Sequence, residues 1–329
     1  MNKHPLPNLT FGPVPSRRLG RSLGINHIPP KTCTYACVYC QLGPTHKMQT
    51  ERHRFYSPET IVSAVQEKVN IANTRGEHID YLTFVPDGEP TLDQNLGEIL
   101  RALKPLNIPL AVITNASLLS VPTVREALSH ANWVSLKVDA TDETVWRRVD
   151  RPHGRLRLAN ILAGAKEFKE AFAGQLVTET MLVNGINDAP RILEATAAAI
   201  SGLCPNVAYL SIPTRPPAEA WVHPPDEAAL NRAYQIFAAV LSQVELLIGY
   251  EGNAFAATGD VATDLLSITA VHPMRKDAVQ ALLTQANADW STVQDLITQC
   301  KLLSTVYQGK TFYLRNLSKN CLYNTRRLG

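Results

Sequence analysis

The 329-residue chain has no run of about 18 apolar residues, which a membrane-spanning helix would need, and its first stretch, MNKHPLPNLTFGPVP, lacks the apolar core of a signal peptide. Export and membrane insertion are therefore not expected, and the chain reads as cytoplasmic. Cysteine is scarce, at six residues, and Cys204, Cys300 and Cys321 are widely scattered. A reducing compartment disfavours a disulfide framework, so those three read as lone thiols. There is no low-complexity tract and no internal repeat beyond an alternation of strand-like and helix-like segments. The Asn-x-Ser/Thr triplets at Asn8, Asn115 and Asn316 carry no weight in a cytosolic protein.

A chain of this length with 45% hydrophobic residues can bury one large core and a smaller one, which predicts two domains. Net charge is +3, and all of it falls in the last part: from Asp260 onward there are eight Lys/Arg against five Asp, while residues 1–259 balance at 24 against 24. A mildly basic C-terminal third is compatible with docking a polyanion.

Between residues 22 and 248, short β-rich runs alternate with longer helical periods, the pattern of βα units around a parallel sheet. The predicted strands are SLGINHI (22–28), DYLTFV (80–85), PLAVIT (109–114), WVSLKV (133–138), VTETMLV (177–183) and VAYLSI (207–212). Ser57-Pro58-Glu59 provides a cap, a first-turn proline and an acid ahead of Ile61, Val62, Val65 and Val69 at helical spacing. Asp226-Glu227 likewise precedes Leu230, Ala233, Ile236, Phe237, Val240 and Leu241, read as one buried face. Six such units fit an open doubly wound sheet or a partial TIM-type barrel. In both, chemistry gathers at the C-terminal ends of the strands.

Beyond residue 260 the pattern changes. DLLSITAV and KDAVQALLTQA read as short helices, Ser291 with Gln294 as a capping box opening STVQDLITQC, and LLSTVY with KTFYLR as a hairpin around Gln308-Gly309. Three helices and a two-stranded ribbon predict a winged-helix-like domain at 260–317. Residues 318–329, with no apolar period, read as a basic tail.

The strand exits carry the informative residues. PPKTCTYACVYCQLGPT follows the first strand and holds Cys33, Cys37 and Cys40; PDGEPT, NAS, DA, NGIND and PTRPP follow the others. Three cysteines at this spacing leave two readings open. A zinc site would need His46 or His53 as a fourth ligand. An iron-sulfur cubane with three thiolates would keep one iron free to bind a substrate or cofactor.

At these residues the chain resembles the radical SAM superfamily, whose signature is CxxxCxΦC with an aromatic before the last cysteine; here Tyr39 fills that position. The wider run GPVPSRRLGRSLGINHIPPKTCTYACVYCQLG, with GEPTL and RVDRPHG, is similar to the iron-sulfur oxidoreductases related to the tRNA demethylwyosine (wybutosine) synthases, over residues 11 to about 255. This implies a partial (βα)6 TIM-type barrel at 1–255 and a winged-helix appendage. It also implies one 4Fe-4S cluster on Cys33, Cys37 and Cys40, and S-adenosylmethionine (SAM) bound near Tyr39. By the same resemblance Gly88, Glu89 and Pro90 would meet the SAM amino group, and Asn115, Ser135, Lys137 and Asp139 its ribose and carboxylate. A second cluster is not implied, since Cys204, Cys300 and Cys321 show no ligand spacing.

The resemblance further implies a one-electron donor such as ferredoxin or flavodoxin, with tRNA the first candidate substrate. The alternatives are radical modification of a protein, peptide or small molecule and, outside the class, a zinc-binding winged-helix regulator. Arg215, at the sixth strand exit, is the first choice for a substrate contact. The arginine runs at 17–21 and 147–155 could grip an anion, and Lys31 or Lys137 could pair with the SAM carboxylate or form a carbonyl adduct.

Overall fold

The computed structural model describes residues 9–249, 255 and 260–316. The predicted basic tail and Cys321 lie outside the described residues. Eight strands form the main sheet: β1 (Thr10–Ser16), β2 (Gly20–Ile25), β3 (Tyr81–Phe84), β4 (Leu110–Thr114), β5 (Trp133–Lys137), β6 (Gln175–Met181), β7 (Val207–Ser211) and β8 (Val244–Leu247). Their spatial order is their chain order. β1 runs antiparallel to β2, and every other pairing is parallel. The order never reverses, so the sheet has no switch point of the doubly wound kind.

All six predicted strands are present, as β2 to β7. Two more were not legible in the sequence. β1 carries Pro13 and Pro15, which cannot donate to a ladder and argue against a strand. They are tolerated at a sheet edge, where the register shifts between Phe11 and Val14. β8 is only four residues, VELL, mostly exposed, and adds a seventh parallel strand to the six expected.

Helices follow the strands: α1 (Pro58–Thr74), α2 (Leu96–Leu103), α3 (Pro122–Leu128), α4 (Glu143–Val149), α5 (Leu158–Ala171), α6 (Pro190–Ser201) and α7 (Glu227–Ala238). Ser57 caps α1 through the Thr60 amide, and Asp226 caps α7 through the Ala229 amide. α7 ends at Ala238, before Val240, which is 49% exposed rather than part of the buried face. One sheet face packs on helices through Leu82, Val112, Val134 and Leu136. The opposite face holds a smaller cluster with Ala111, Trp133, Val177 and Tyr209. Side chains at alternate positions of each strand thus divide between the helix layer and the inner face.

The last described residues build α8 (Val261–Val271), β9 (Met274–Arg275), α9 (Lys276–Gln285), α10 (Ser291–Thr298), β10 (Leu302–Tyr307) and β11 (Lys310–Arg315). The expected hairpin forms, with positive φ at both Gln308 and Gly309 as a two-residue turn demands. The ribbon is three-stranded, not two-stranded, because β9 pairs with β11. The Ser291 capping box does not form: Ser291 is already the first helical residue, and Asp289 accepts from its amide and hydroxyl. Cys300 is disulfide-bonded rather than a lone thiol, whereas Cys204 is free and exposed.

The two cores meet along β1. Phe11 and Val14 belong to the cluster formed by Phe255, Leu265, Ile268 and Met274. The Phe11 ring lies over Gly24, where a Cβ would come within 2.0 Å of it. Replacing Phe11 by Ala should cost about 3–5 kcal/mol and selectively speed amide exchange in α8. Denaturant titration with hydrogen-exchange mass spectrometry checks this, and unchanged α8 protection would contradict the shared core.

Candidate functional site

Cys33 ends a two-residue strand, Thr32–Cys33, that pairs in parallel with Lys47–Met48. The excursion between them carries Cys37 and Cys40. Its backbone is held from the other side by the RVDRPHG segment: the Ala36 amide donates to the Asp150 carbonyl at 3.1 Å, Val38 to Val149 at 3.0 Å, and His153 to Thr34 at 2.9 Å. Tyr35 packs edge-on against Trp146 of α4. The motif read from sequence mainly for its arginines is thus the clamp of the cysteine loop.

The glycine-glutamate motif holds the loop from below. Gly88 has φ +154° and forms a parallel bridge with Thr32. A Cβ there would fall 1.9 Å from the Thr32 carbonyl oxygen, so only glycine fits this approach. The Glu89 amide donates to that oxygen at 3.1 Å. Glu89 itself is buried, and its carboxylate accepts from the amide and hydroxyl of Thr91, the hydroxyl of Thr114 and the amide of Asn115. Burial nevertheless raises its pKa. Pro90 starts a buried turn, and its carbonyl meets His27 Nε2 at 3.2 Å.

The three thiols are half-buried and free. Burial, followed by the Glu89 carboxylate, pushes Cys33 up to about 12, with Cys40 adding to the effect. Cys37 is raised well above its ordinary value by burial, Asp150 and the other two cysteines. Thiols so placed stay protonated unless a cationic centre holds them as thiolates. Among the described residues no three His, Cys, Asp or Glu side chains gather round a single metal ion, so neither His46 nor His53 completes a zinc set. Three free thiols on one loop are the donor type that an iron-sulfur core takes.

The remaining sequence candidates divide by what they touch. Asn115 donates to Thr34 at 2.7 Å and to Cys33 Sγ at 3.7 Å, while its amide oxygen caps Ser117. Asp139 accepts from the Tyr39 hydroxyl and, at 2.7 Å, from the Met181 amide. Tyr39 also reaches Asp150 at 3.2 Å, and Asp150 accepts from Cys37 Sγ at 3.3 Å. Ser135 lies in mid-strand on the inner face with a buried hydroxyl that makes no hydrogen bond. Lys137 Nζ sits 4.9 Å over the Tyr39 ring and 3.0 Å from Glu179. Burial opposes its charge, but Asp139 and Glu179 outweigh that and raise its pKa. Arg215 is buried and bonds to Gln41 at 2.8 Å and to His272 at 2.9 Å, joining the cysteine loop to the end of α8.

Sequence reading missed Glu179 and Ser211, and took Arg18 for an anion grip rather than the partner of an internal carboxylate. Glu179 pairs with Arg18 and Lys137 and accepts from Ser211 at 3.0 Å; these cations overcome its burial and lower its pKa. The signal was a lone acid inside the predicted strand VTETMLV, where a buried parallel sheet ordinarily carries none.

The radical SAM superfamily model matches residues 28–195, spanning the cysteine loop, its clamp and the Gly88 motif. The chain belongs to the radical SAM superfamily. Its members generally bind a 4Fe-4S cluster and SAM. The chain is 43% identical over 311 residues to the UPF0026 protein of Methanocaldococcus jannaschii, covering 94% of this chain and 96% of that one. It is 24% identical over 247 residues to the ribosomal RNA large subunit methyltransferase N of Nitrosopumilus maritimus, covering 71% and 66%. A solved structure of TYW1 with a lysine-pyruvate adduct has the same fold at TM-score 0.51, with 16% identity, over 68% of this chain and 74% of that one. As a radical SAM protein, the chain joins the strand that ends in Cys33 to its glycine-glutamate motif through the Thr32–Gly88 bridge.

Asp93, the residue that follows the turn Glu89 caps, is buried with one carboxylate oxygen unpartnered, and burial pushes its pKa up to about 7. Its contribution to stability is therefore fully present below its ordinary value of 3.8 and lost as pH rises to about 7. Asp93→Asn should remove that part of the decline. Urea midpoints of parent and variant between pH 5 and 7.5 check it, and parallel curves would contradict it.

Proposed function

We propose that this protein uses a 4Fe-4S cluster on Cys33, Cys37 and Cys40 to cleave SAM and abstract hydrogen from a substrate held over the inner face of a partial barrel. The observation that carries the reading is three free thiols on one loop whose Thr32 backbone rests on Gly88. When bound, the cluster supplies one electron to the SAM sulfonium, breaking a carbon-sulfur bond to give methionine and a 5′-deoxyadenosyl radical. The protein's part is placement. The Gly88 to Pro90 turn would meet the SAM ammonium, where glycine lets backbone approach closely. The unpartnered Ser135 hydroxyl and Lys137 would meet its polar groups, while Tyr39, tied to Asp139 and Asp150, fixes the loop that carries Cys40.

The substrate in this reading is RNA, with tRNA first, in keeping with the wybutosine-synthase group. The similarity to a ribosomal RNA methyltransferase supports it. The paired charges Arg18, Glu179 and Lys137 would line the substrate chamber. Helix, strand, two helices and a hairpin at 261–315 are the order of a winged helix, which we assign to this unit. A cytoplasmic ferredoxin or flavodoxin would supply the electron. Arg215, engaged by Gln41 and His272, would act on substrate through the loop it braces.

Anaerobic reconstitution with iron and sulfide should give the absorbance of one 4Fe-4S cluster per chain. With dithionite and SAM it should release 5′-deoxyadenosine, faster when bulk tRNA is added. Replacing Cys33, Cys37 or Cys40 by Ala should abolish both cluster and product. Glu179→Gln should keep the cluster but lose at least tenfold of the tRNA-stimulated rate. A stoichiometric zinc site, or no SAM cleavage by a full cluster, would overturn the reading.

A further inference from the structure

We infer that the outer side of the cysteine loop, and not the C-terminal unit, carries a phosphate track for a polynucleotide backbone; this rests on the RNA reading above. Lys47, Met48, Gln49, Thr50, Glu51 and His53 line a cleft of about 330 Å³ together with His153 and Arg155. It lies directly behind the short strand pair, in which Met48 stands opposite Cys33. The cleft holds two full cations and two imidazoles against a single carboxylate, Glu51, which is paired with Arg155 at 3.1 Å on the surface. His153 Nδ1 accepts from the Arg155 amide, which leaves its ring proton on Nε2 as a further donor.

The two segments that line the cleft carry further cations. Arg54 and Arg148 are exposed, and neither they nor the Lys47 side chain have an ion-pair partner among the described residues. Arg157 is exposed too and bonds only to nearby carbonyls, at 2.8 Å and 3.0 Å. Acids in the same two segments are fewer: besides Glu51 there is Asp150, which is buried and turned to Tyr39 and Cys37. One phosphate group needs one or two such cations. A row of them on both sides of a cleft is suited to a repeating phosphodiester.

The C-terminal unit is the weaker candidate despite its basic composition. Arg315 is half-buried and directed to the Leu266 carbonyl of α8, and α10 carries no Lys or Arg between Ser291 and Thr298. Among the described residues its exposed cations near the hairpin are Lys276, Lys301 and Lys310, and Lys276 lies over the Trp290 ring. Backbone contacts on the cysteine-loop side would also set the polynucleotide beside the site itself.

The test is fluorescence anisotropy of labelled bulk tRNA with the reconstituted holoprotein, from 50 to 300 mM salt. The triple variant Lys47→Ala/Arg148→Ala/Arg155→Ala should bind at least tenfold more weakly at 100 mM salt. Its slope of log K against log salt should be shallower by about 2, at roughly 0.7–0.9 per lost phosphate contact. Its cluster absorbance and tRNA-free SAM cleavage should be unchanged. Lys47→Arg/Arg155→Lys, which keeps charge, should restore most of the affinity, and Lys301→Ala/Lys310→Ala should match the parent. Parent-like binding and slope in the triple variant, loss confined to the C-terminal pair, or no tRNA binding at 50 mM salt would each overturn the track. Absence of a cluster or of 5′-deoxyadenosine would instead indict the radical reading.

Discussion

The contact between the Thr32 carbonyl and Gly88 is the constraint on which the site depends. Two loops leaving neighbouring parallel strands approach until one backbone fills the space where the other would carry a Cβ. That approach puts the Glu89 amide on Thr32 and leaves the Glu89 carboxylate beneath, gathering donors from Thr91, Thr114 and Asn115. Three consecutive strand exits are thereby fixed to one residue, two through its carboxylate and one through its amide. Its burial is tolerated because four hydrogen bonds replace water.

Above this base the cysteine loop has little regular structure of its own. It is held by backbone bonds to 149–153 on one side and to the Lys47–Met48 strand on the other. Tyr39 adds a side-chain tie, running to Asp139 after β5 and to Asp150 after α4. The thiols therefore sit in a frame whose groups are mostly acids, which disfavours bare thiolates and favours a bound cationic centre. On the inner face the opposite arrangement holds: Glu179 lies between Arg18 and Lys137, so each charge is met before it is desolvated.

The C-terminal unit shares structure with both. Its core takes Phe11 and Val14 from the first strand, and Gln41, next to Cys40, donates to the Val271 carbonyl at the end of α8. Arg215 and His272 reinforce the same junction, and Tyr307 donates to the Pro213 carbonyl. Movement of this unit would be felt within one residue of a cysteine in the signature. The division of the chain near residue 255, clear in the change of sequence pattern, is thus not a division of the packing.

Much of this architecture is local and so was written in the sequence. Strand and helix periods, the Ser57 and Asp226 caps and the Gln308-Gly309 turn each depend on a few neighbouring residues, and the cysteine spacing with Gly88-Glu89-Pro90 marked the site. What the spacing did not show were the side-chain partners and the sheet edge that packing sets. Pro13 and Pro15 are compatible with a strand only because β1 is an edge. Ser291 lost its cap to Asp289, a nearer carboxylate. Arg215, the first choice for a substrate contact, bonds to Gln41 and His272, and Glu179 passed as one more strand residue until β5 and the Arg18 segment brought cations to it. Sequence alone determined which elements form and which residues carry sulfur and charge. Tertiary structure decided which charges face each other, because pairing in a desolvated interior depends on distances that no spacing along the chain encodes.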